Sequence, residues 1–385
     1  MITSLTLTDF RSYERAGLDP GAGPVVLYGA NGAGKTNLLE AVSLLSPGRG
    51  LRAAAFAELG RRHAGEAEGR SWAVSALVET GDGLLRLGTG ASGPSRRIVR
   101  IDGQSATPGQ LLEHLRPVWA TPEHDRLFSD ARAARLRFLD RLVFASSPEH
   151  AAHVSAYEKA LRERIRVLGA DEMPDPLWLD AIEAQMAVSG ARAALLRRAA
   201  LAALQGEIDA RSDRPFPQAD LRLDGAFETE SAGLQDAGEI AGRLAAGLKA
   251  SRGRDRASGR SLFGPHRADL RAVHRAKRRD AAEGSTGEQK ALMLNLILAQ
   301  AARLSRGVPG AENPSNWLAK SGAKPVVLLD EAPAHLDGHR RAALFEEIVA
   351  LGLQAFLTGT DDTLFSSLKG RAAFVRVEPG ALIAP

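Results

Sequence analysis

The chain has 385 residues, of which 44% are hydrophobic and 25% charged, enough for two or three domains of ordinary globular composition. It contains no cysteine, which excludes disulfides, zinc knuckles and thiol chemistry, and no apolar run approaches the ~20 residues needed to span a bilayer. A net charge of +4 permits an anionic partner, but only eight of the 50 basic residues are lysine, so this arginine-rich balance does not by itself point to nucleic acid.

Met1–Thr8 alternates as a strand does and lacks the basic start and apolar run of a secretion signal, so a cytoplasmic location without a membrane partner is expected. Strands are predicted over 1–10 and 24–28, the second running straight into a glycine-rich loop. A helix follows from Asn37 until Pro47-Gly48 ends it. Trp72–Val78, Leu84–Leu87 and Arg97–Ile101 read as a meander, with Gly81-Asp82-Gly83 and Asp102-Gly103 at its turns. From about 129 to 210 apolar residues recur every three or four positions, which predicts helices, interrupted at Pro174 and Pro176. Residues 211–260 are mixed and rich in Gly, Arg and Asp. A helix is predicted over 291–304, a surface loop over 307–323, a strand over 325–329, a helix over 341–351, and strands over 353–358 and 373–377.

Gly29-Ala30-Asn31-Gly32-Ala33-Gly34-Lys35-Thr36 matches the phosphate-loop pattern in its required strand–loop–helix setting. Its backbone N–H groups and the helix N-terminus converge on phosphate oxygens. Lys35 would reach the β- and γ-phosphates of ATP, and the Thr36 hydroxyl would bind Mg²⁺. Val326–Leu329 ends in Asp330-Glu331, two carboxylates at a strand's C-terminal edge. Asp330 is expected to serve the metal ion and Glu331 to orient or deprotonate the attacking water. Ser285-Thr286-Gly287-Glu288-Gln289 opens a helix and reads either as a capped start or as a second anion site.

In this order the elements resemble the ABC ATPase superfamily, whose signature segment corresponds to Ser285–Gln289 and whose dimer-contact loop corresponds to Ala332–Asp337. Thr360 stands where that superfamily usually has a γ-phosphate-sensing histidine, and His335 reads as a surface or interface residue. Asp9-Phe10-Arg11-Ser12-Tyr13, Thr121–Asp125, Arg135–Asp140 and Gly264-Pro265-His266-Arg267 narrow the resemblance to the RecF family, from residue 3 to about 377.

That resemblance implies an α/β ABC-type ATPase head, a parallel core sheet with an antiparallel meander, interrupted by a mainly helical lobe and lacking the long coiled coil of SMC proteins. No heptad run of coiled-coil length occurs, in agreement. The expected divisions are 1–120, 121–255 and 256–385. It further implies weak ATP hydrolysis used as a switch, an ATP-dependent homodimer, duplex and gapped DNA as ligand, and RecR, RecO and RecA as partners in recombinational repair, in the cytoplasm at the nucleoid. Arg11 and Ser12 fall where the family contacts the base, Asn31 and Asn37 flank the loop, and Glu123 lies in the segment matching the Q-loop, an additional candidate for the metal.

Residues 251–280 hold ten Lys or Arg against three Asp. Arg252, Arg254, Arg256, Arg271, Arg275, Lys277, Arg278 and Arg279 are the candidate DNA contacts, through phosphates rather than stacking, because few aromatics are interleaved. A transporter nucleotide-binding subunit would share every ATP motif but not the N-terminal Asp-Phe-Arg element or the large insert. A P-loop kinase would leave the signature helix unexplained.

Overall fold

The computed structural model describes all residues except 63–64, 67–68, 93–95, 173–174, 307–322, 335 and 384–385. The loop expected over 307–323 therefore lies almost wholly outside the described residues, as does His335.

The chain divides into two compact units. The first comprises Met1–Asp125, Arg211–Phe216 and Lys290–Pro385, the second Arg126–Ala210 and Pro217–Gln289. The stretch 256–289, expected with the C-terminal part of the ATPase lobe, is thus assigned to the second unit. The reason is strand pairing: Asp269–His274 forms an antiparallel ladder with Ala219–Asp224.

The first unit contains two sheets. β1 (Ile2–Phe10) and β2 (Tyr13–Leu18) form a hairpin that joins a meander. After β3 (Val25–Tyr28), that meander is built from β4 (Trp72–Thr80), β5 (Gly83–Ala91), β6 (Arg97–Ile101) and β7 (Gln104–Ser105). Along β4 the residues Trp72, Val74, Ala76 and Val78 are buried, the alternation of a sheet with one face on the core. The second sheet places β3 beside β8 (Leu115–Ala120), β12 (Lys324–Leu329), β13 (Gln354–Gly359), β14 (Ala373–Glu378) and β15 (Ala381–Ile383), in the order β15-β14-β3-β13-β12-β8. Its strands β3, β13, β12 and β8 are parallel and buried along almost their whole length, as strands covered on both faces must be.

The helix Lys35–Ser43 lies in one apolar cluster with both sheets: Leu38, Leu39 and Val42 pack with Leu5, Leu7 and Val74, and with Leu27, Val326 and Phe356. Its C-terminal end is held by Arg97, which donates to Leu44 O, to Ser46 O at 3.0 Å and to Gly48 O at 3.0 Å. A cation there satisfies orphan carbonyls and complements the helix dipole. Burial lowers the Arg97 pKa to about 10, still far above neutrality.

The second unit is helical, with Arg132–Ser146, Glu149–Leu168, Pro176–Ala210 and Ala237–Ser258 as its long members. Beside them lies a small sheet of β9 (Ala219–Asp224), β10 (Asp269–His274) and β11 (Arg279–Asp280). The helix Ala237–Ser258 was not legible in the mixed region 211–260. Its signals are Asp236, which accepts from Glu239 N as N-cap, and Ile240, Leu244 and Leu248 spaced every four residues. Arginine and glycine between them hide the period.

Arg164, fully buried, organises this unit's core. It donates to Glu183 at 2.8 Å, Asp255 at 2.6 Å and Leu248 O at 2.8 Å. Removing one member of such a cluster strands the others' charge, so Arg164→Ala is expected to cost about 3–5 kcal/mol, measured by denaturant melts. Glu228 is buried with neither carboxylate oxygen hydrogen-bonded to another side chain among the described residues, and burial raises its pKa from 4.5 to about 7. A carboxyl raised on folding stabilises the fold below its unfolded pKa and loses that contribution as pH rises through the folded value. Stability is therefore expected to fall between pH 4.5 and about 7, and Glu228→Gln should flatten that fall in pH-dependent melting curves.

Candidate functional site

The phosphate loop joins β3 to the helix Lys35–Ser43. Gly34 is the helix N-cap at φ 113, a left-handed conformation, and a Cβ there would lie 2.8 Å from the Tyr13 hydroxyl and 2.9 Å from Ser12 Oγ. Tyr13 is buried and donates to Gly34 O at 3.1 Å, so β2 braces the loop from behind. Gly29, at φ 148, has no room for a side chain either: a Cβ would meet Val377 O at 2.3 Å. Ala33 is buried, while Ala30, Asn31 and Gly32 form the exposed crest of the loop.

Lys35 is 5% exposed, and its ammonium donates to Gly29 O at 2.7 Å and Ala30 O at 2.8 Å. Burial lowers its pKa, while Glu331 and Asp330 pull it back up. The ammonium thus sits under the loop crest, and nucleotide phosphate oxygens would take the place of these carbonyls.

Asp330 comes from the other end of the chain. Its Oδ1 accepts from the Thr36 hydroxyl at 3.0 Å and from the Thr358 hydroxyl at 2.9 Å. A hydroxyl and a carboxylate in direct contact are the hard oxygen pair that suits Mg²⁺, which needs few protein ligands because phosphates and water complete its shell. No group of three or more His, Asp or Glu side chains able to hold a metal occurs among the described residues. Glu123 is exposed in the 3₁₀ turn Pro122–Ser129, with no side-chain hydrogen bond or ion pair among the described residues. Its neighbour Asp125 instead accepts from Lys290 at 3.0 Å.

Glu331 follows at φ 50, a left-handed conformation uncommon for a side-chain-bearing residue. Its N–H donates to Thr358 Oγ1 at 2.8 Å and its carbonyl accepts from Lys290 Nζ at 3.2 Å. Thr360, which stands in place of the superfamily's sensing histidine, is exposed, whereas Thr358, not singled out by the sequence, has a fully buried hydroxyl. A threonine inside the apolar strand Gln-Ala-Phe-Leu-Thr-Gly was the available signal, because a buried hydroxyl needs a partner.

Arg11, at φ 52, forms a two-pronged ion pair with buried Glu40 of the loop helix, both contacts at 2.8 Å, and donates to Glu58 O. Its guanidinium therefore fastens the β1–β2 turn to that helix. Ser12 Oγ accepts from Asn37 at 2.9 Å, and Asn37 accepts from Arg52 at 2.8 Å. Arg52 and Glu40 are members of this polar edge that the sequence did not single out. In the dimer-contact segment, Asp337 caps the helix Gly338–Ala350 by accepting from Arg340 N at 2.8 Å.

The signature residues belong to the second unit. Ser285 and Glu288 form a reciprocal capping box, with Ser285 N donating to Glu288 Oε2 at 3.0 Å and Glu288 N to Ser285 Oγ at 3.3 Å. The helix starts at Thr286, five residues earlier than expected, so Gly287 lies in its first turn. Lys277 bonds Glu288, with the capping N–H of Ser285 and with Arg279 adding to it, and together they hold that carboxyl at a pKa of about 2. Gln289 donates to Ser129 Oγ at 2.6 Å and Gly284 O at 3.0 Å.

The basic candidates are far less free than their number implies. Arg252 pairs with Asp180 and Glu183, Arg275 with Asp209 and Asp220, Arg271 with Asp280, and Lys277 and Arg279 with Glu288. Arg256 donates to Ala170 O and Asp171 O. Of the eight, only Arg254 and Arg278, both exposed, have no such bond among the described residues.

The family model described as "RecF/RecN/SMC N terminal domain" matches residues 1–380. A "DNA replication and repair protein RecF" of Caulobacter sp. (strain K31) is 56% identical across the whole chain and 98% of its own length. The chain belongs to the RecF family. A RecF of Rhizobium meliloti (strain 1021) is 46% identical over 98% of this chain and 97% of its own. In fold, the chain superposes on a structure of the "recombination mediator protein RecF-ATP in RecFOR pathway" with a TM-score of 0.79 at 22% identity, covering 100% of this chain and 97% of that one. An SMC head domain from Pyrococcus furiosus gives 0.52 at 15% identity, covering 100% and 95%. The expected ABC-type ATPase head is therefore the fold of this RecF-family chain, and no long coiled coil occurs among the described residues.

Gly34→Ala places a methyl in a left-handed position already crowded by Tyr13 and Ser12. ATP affinity is expected to fall at least ~10-fold, and the thermal shift that ATP produces to shrink with it, since that shift follows occupancy.

Proposed function

We propose that this RecF-family chain is an ATP-dependent DNA-binding protein of recombinational repair whose slow ATP hydrolysis works as a switch. The observation that carries the reading is the convergence of Lys35, Thr36, Asp330 and Glu331 around the phosphate loop. Loop N–H groups and Lys35 would bind the β- and γ-phosphates, and Thr36 and Asp330 would hold Mg²⁺. Mg²⁺ would neutralise charge developing on the phosphate oxygens. Glu331 would orient and polarise the water that attacks the γ-phosphate. Arg11, Ser12, Asn31 and Asn37 would border the nucleotide.

The signature segment, with the Ser285 hydroxyl and the Gly287 N–H at the helix start, offers an anion site at a helix N-terminus. In this reading it engages the γ-phosphate held by Lys35 of a partner subunit, so ATP stabilises a homodimer by linkage and hydrolysis releases it. Duplex DNA beside single-strand gaps is the proposed ligand, and RecR, RecO and RecA the proposed partners, in the cytoplasm at the nucleoid. The relatives' name and their full-length similarity support this over a transporter subunit. No described helix is long and apolar enough to cross a membrane.

Glu331→Gln should slow hydrolysis and hold an ATP-bound dimer, read by light scattering; a monomer under those conditions would refute the switch. DNA binding to duplex and gapped substrates should require ATP and weaken with salt. Arg254→Ala combined with Arg278→Ala should reduce the salt slope by about 1–2. Binding that ignores ATP at every salt concentration would overturn the clamp.

A further inference from the structure

The strained backbone of Glu331 points to a positioning device. A residue with a Cβ resists φ 50, and such a conformation persists only where its surroundings over-determine it. Here both peptide groups of Glu331 are held by buried side chains. Thr358, with no exposed surface, takes the N–H at 2.8 Å, and Lys290, 1% exposed, bonds the carbonyl at 3.2 Å. Each holder is itself anchored. The Thr358 hydroxyl spends its proton on Asp330 Oδ1 at 2.9 Å, and Lys290 is paired with Asp125 at 3.0 Å.

Sheet order explains why threonine can act this way. β13 lies between β3, which leads into the phosphate loop, and β12, which ends at Asp330. A hydroxyl near the end of the middle strand reaches the carboxylate and the following peptide together.

We propose that Thr358 and Lys290 are positioning residues for hydrolysis, fixing Glu331 in the left-handed conformation that aims its carboxylate at the attacking water. The inference rests on the reading of Glu331 as the water-orienting group. Lys290 also follows Gln289 directly in the helix that opens at the signature segment, so engagement of that segment has a one-residue covalent route to the Glu331 carbonyl. ATP binding, which depends on the loop and Lys35, does not need this clamp, whereas the γ-phosphate cleavage step does.

The test compares the ATP Kd measured without Mg²⁺ and single-turnover hydrolysis with Mg²⁺ in full-length variants whose folding is checked by melting. Thr358→Val keeps the shape and removes both hydrogen bonds. It should lower the cleavage rate by about 10- to 100-fold, the scale of a misplaced reacting group, with the ATP Kd measured without Mg²⁺ unchanged, because the loop and Lys35 are left intact. Thr358→Ser should restore most of the rate. Lys290→Met, made together with Asp125→Asn so that the charge of the acid paired with Lys290 is removed along with it, should show the same split between rate and affinity. It also decides the question if Thr358→Val does not fold. Wild-type cleavage in Thr358→Val or in the Lys290 double variant, or a loss of ATP affinity equal to the loss of rate, overturns the proposal. Glu331→Gln separates the two layers: if it cleaves ATP at the wild-type rate, the underlying role of Glu331 fails, whatever the other variants do.

Discussion

The carboxylate of Asp330 is the contact on which the site depends. One of its oxygens accepts two hydroxyls, Thr36 from the start of the loop helix and Thr358 from the end of β13. Thr36 and Asp330 are 294 residues apart in sequence. The parallel sheet makes their meeting possible, because β3, β13 and β12 are neighbours and all end at the same edge. Ligands of open α/β sheets collect at that edge because loops diverge there and helix N-termini face it.

Around this contact the first unit devotes polar chemistry to rigidity. Tyr13 and Ser12 close against Gly34, Arg11 fastens to Glu40, and Arg97 ties the far end of the loop helix. Each bond is modest in isolation, but buried polar groups that are fully satisfied leave little alternative geometry. The phosphate loop is therefore set in position by the fold before any ligand engages it, which lowers the ordering cost of binding.

Charge reads differently in three dimensions than along the chain. Ten cations within thirty residues suggest a basic face, yet most of the candidate contacts are neutralised by acids from other elements: Asp180, Glu183 and Asp209 from the helix Pro176–Ala210, Asp220 from β9, and Glu288 at a helix start. Arginine density here serves internal ion pairing first. The long-range field that would steer DNA comes from a smaller remainder than the count implies.

The sequence by itself determined the phosphate loop, the Asp330-Glu331 strand, the alternating meander and the family, because each is written in a local pattern whose physics is local: glycines that tolerate unusual φ, apolar runs that must be buried, periods of two and of three to four. It also placed the start of the last long helix near the signature, although the capping box put that start at Thr286 rather than 291. Tertiary structure alone decided the rest. The ladder between β9 and β10 drew 256–289 into the second unit, the helix Ala237–Ser258 emerged from a stretch whose arginines mask its apolar spacing, and Arg11 was claimed by Glu40. Thr358 and Lys290 gained their place at Glu331 only because strand order and a helix packing brought them there. A single hydroxyl or ammonium carries no periodic signal, so what it touches is fixed by the fold and not by its neighbours in the chain.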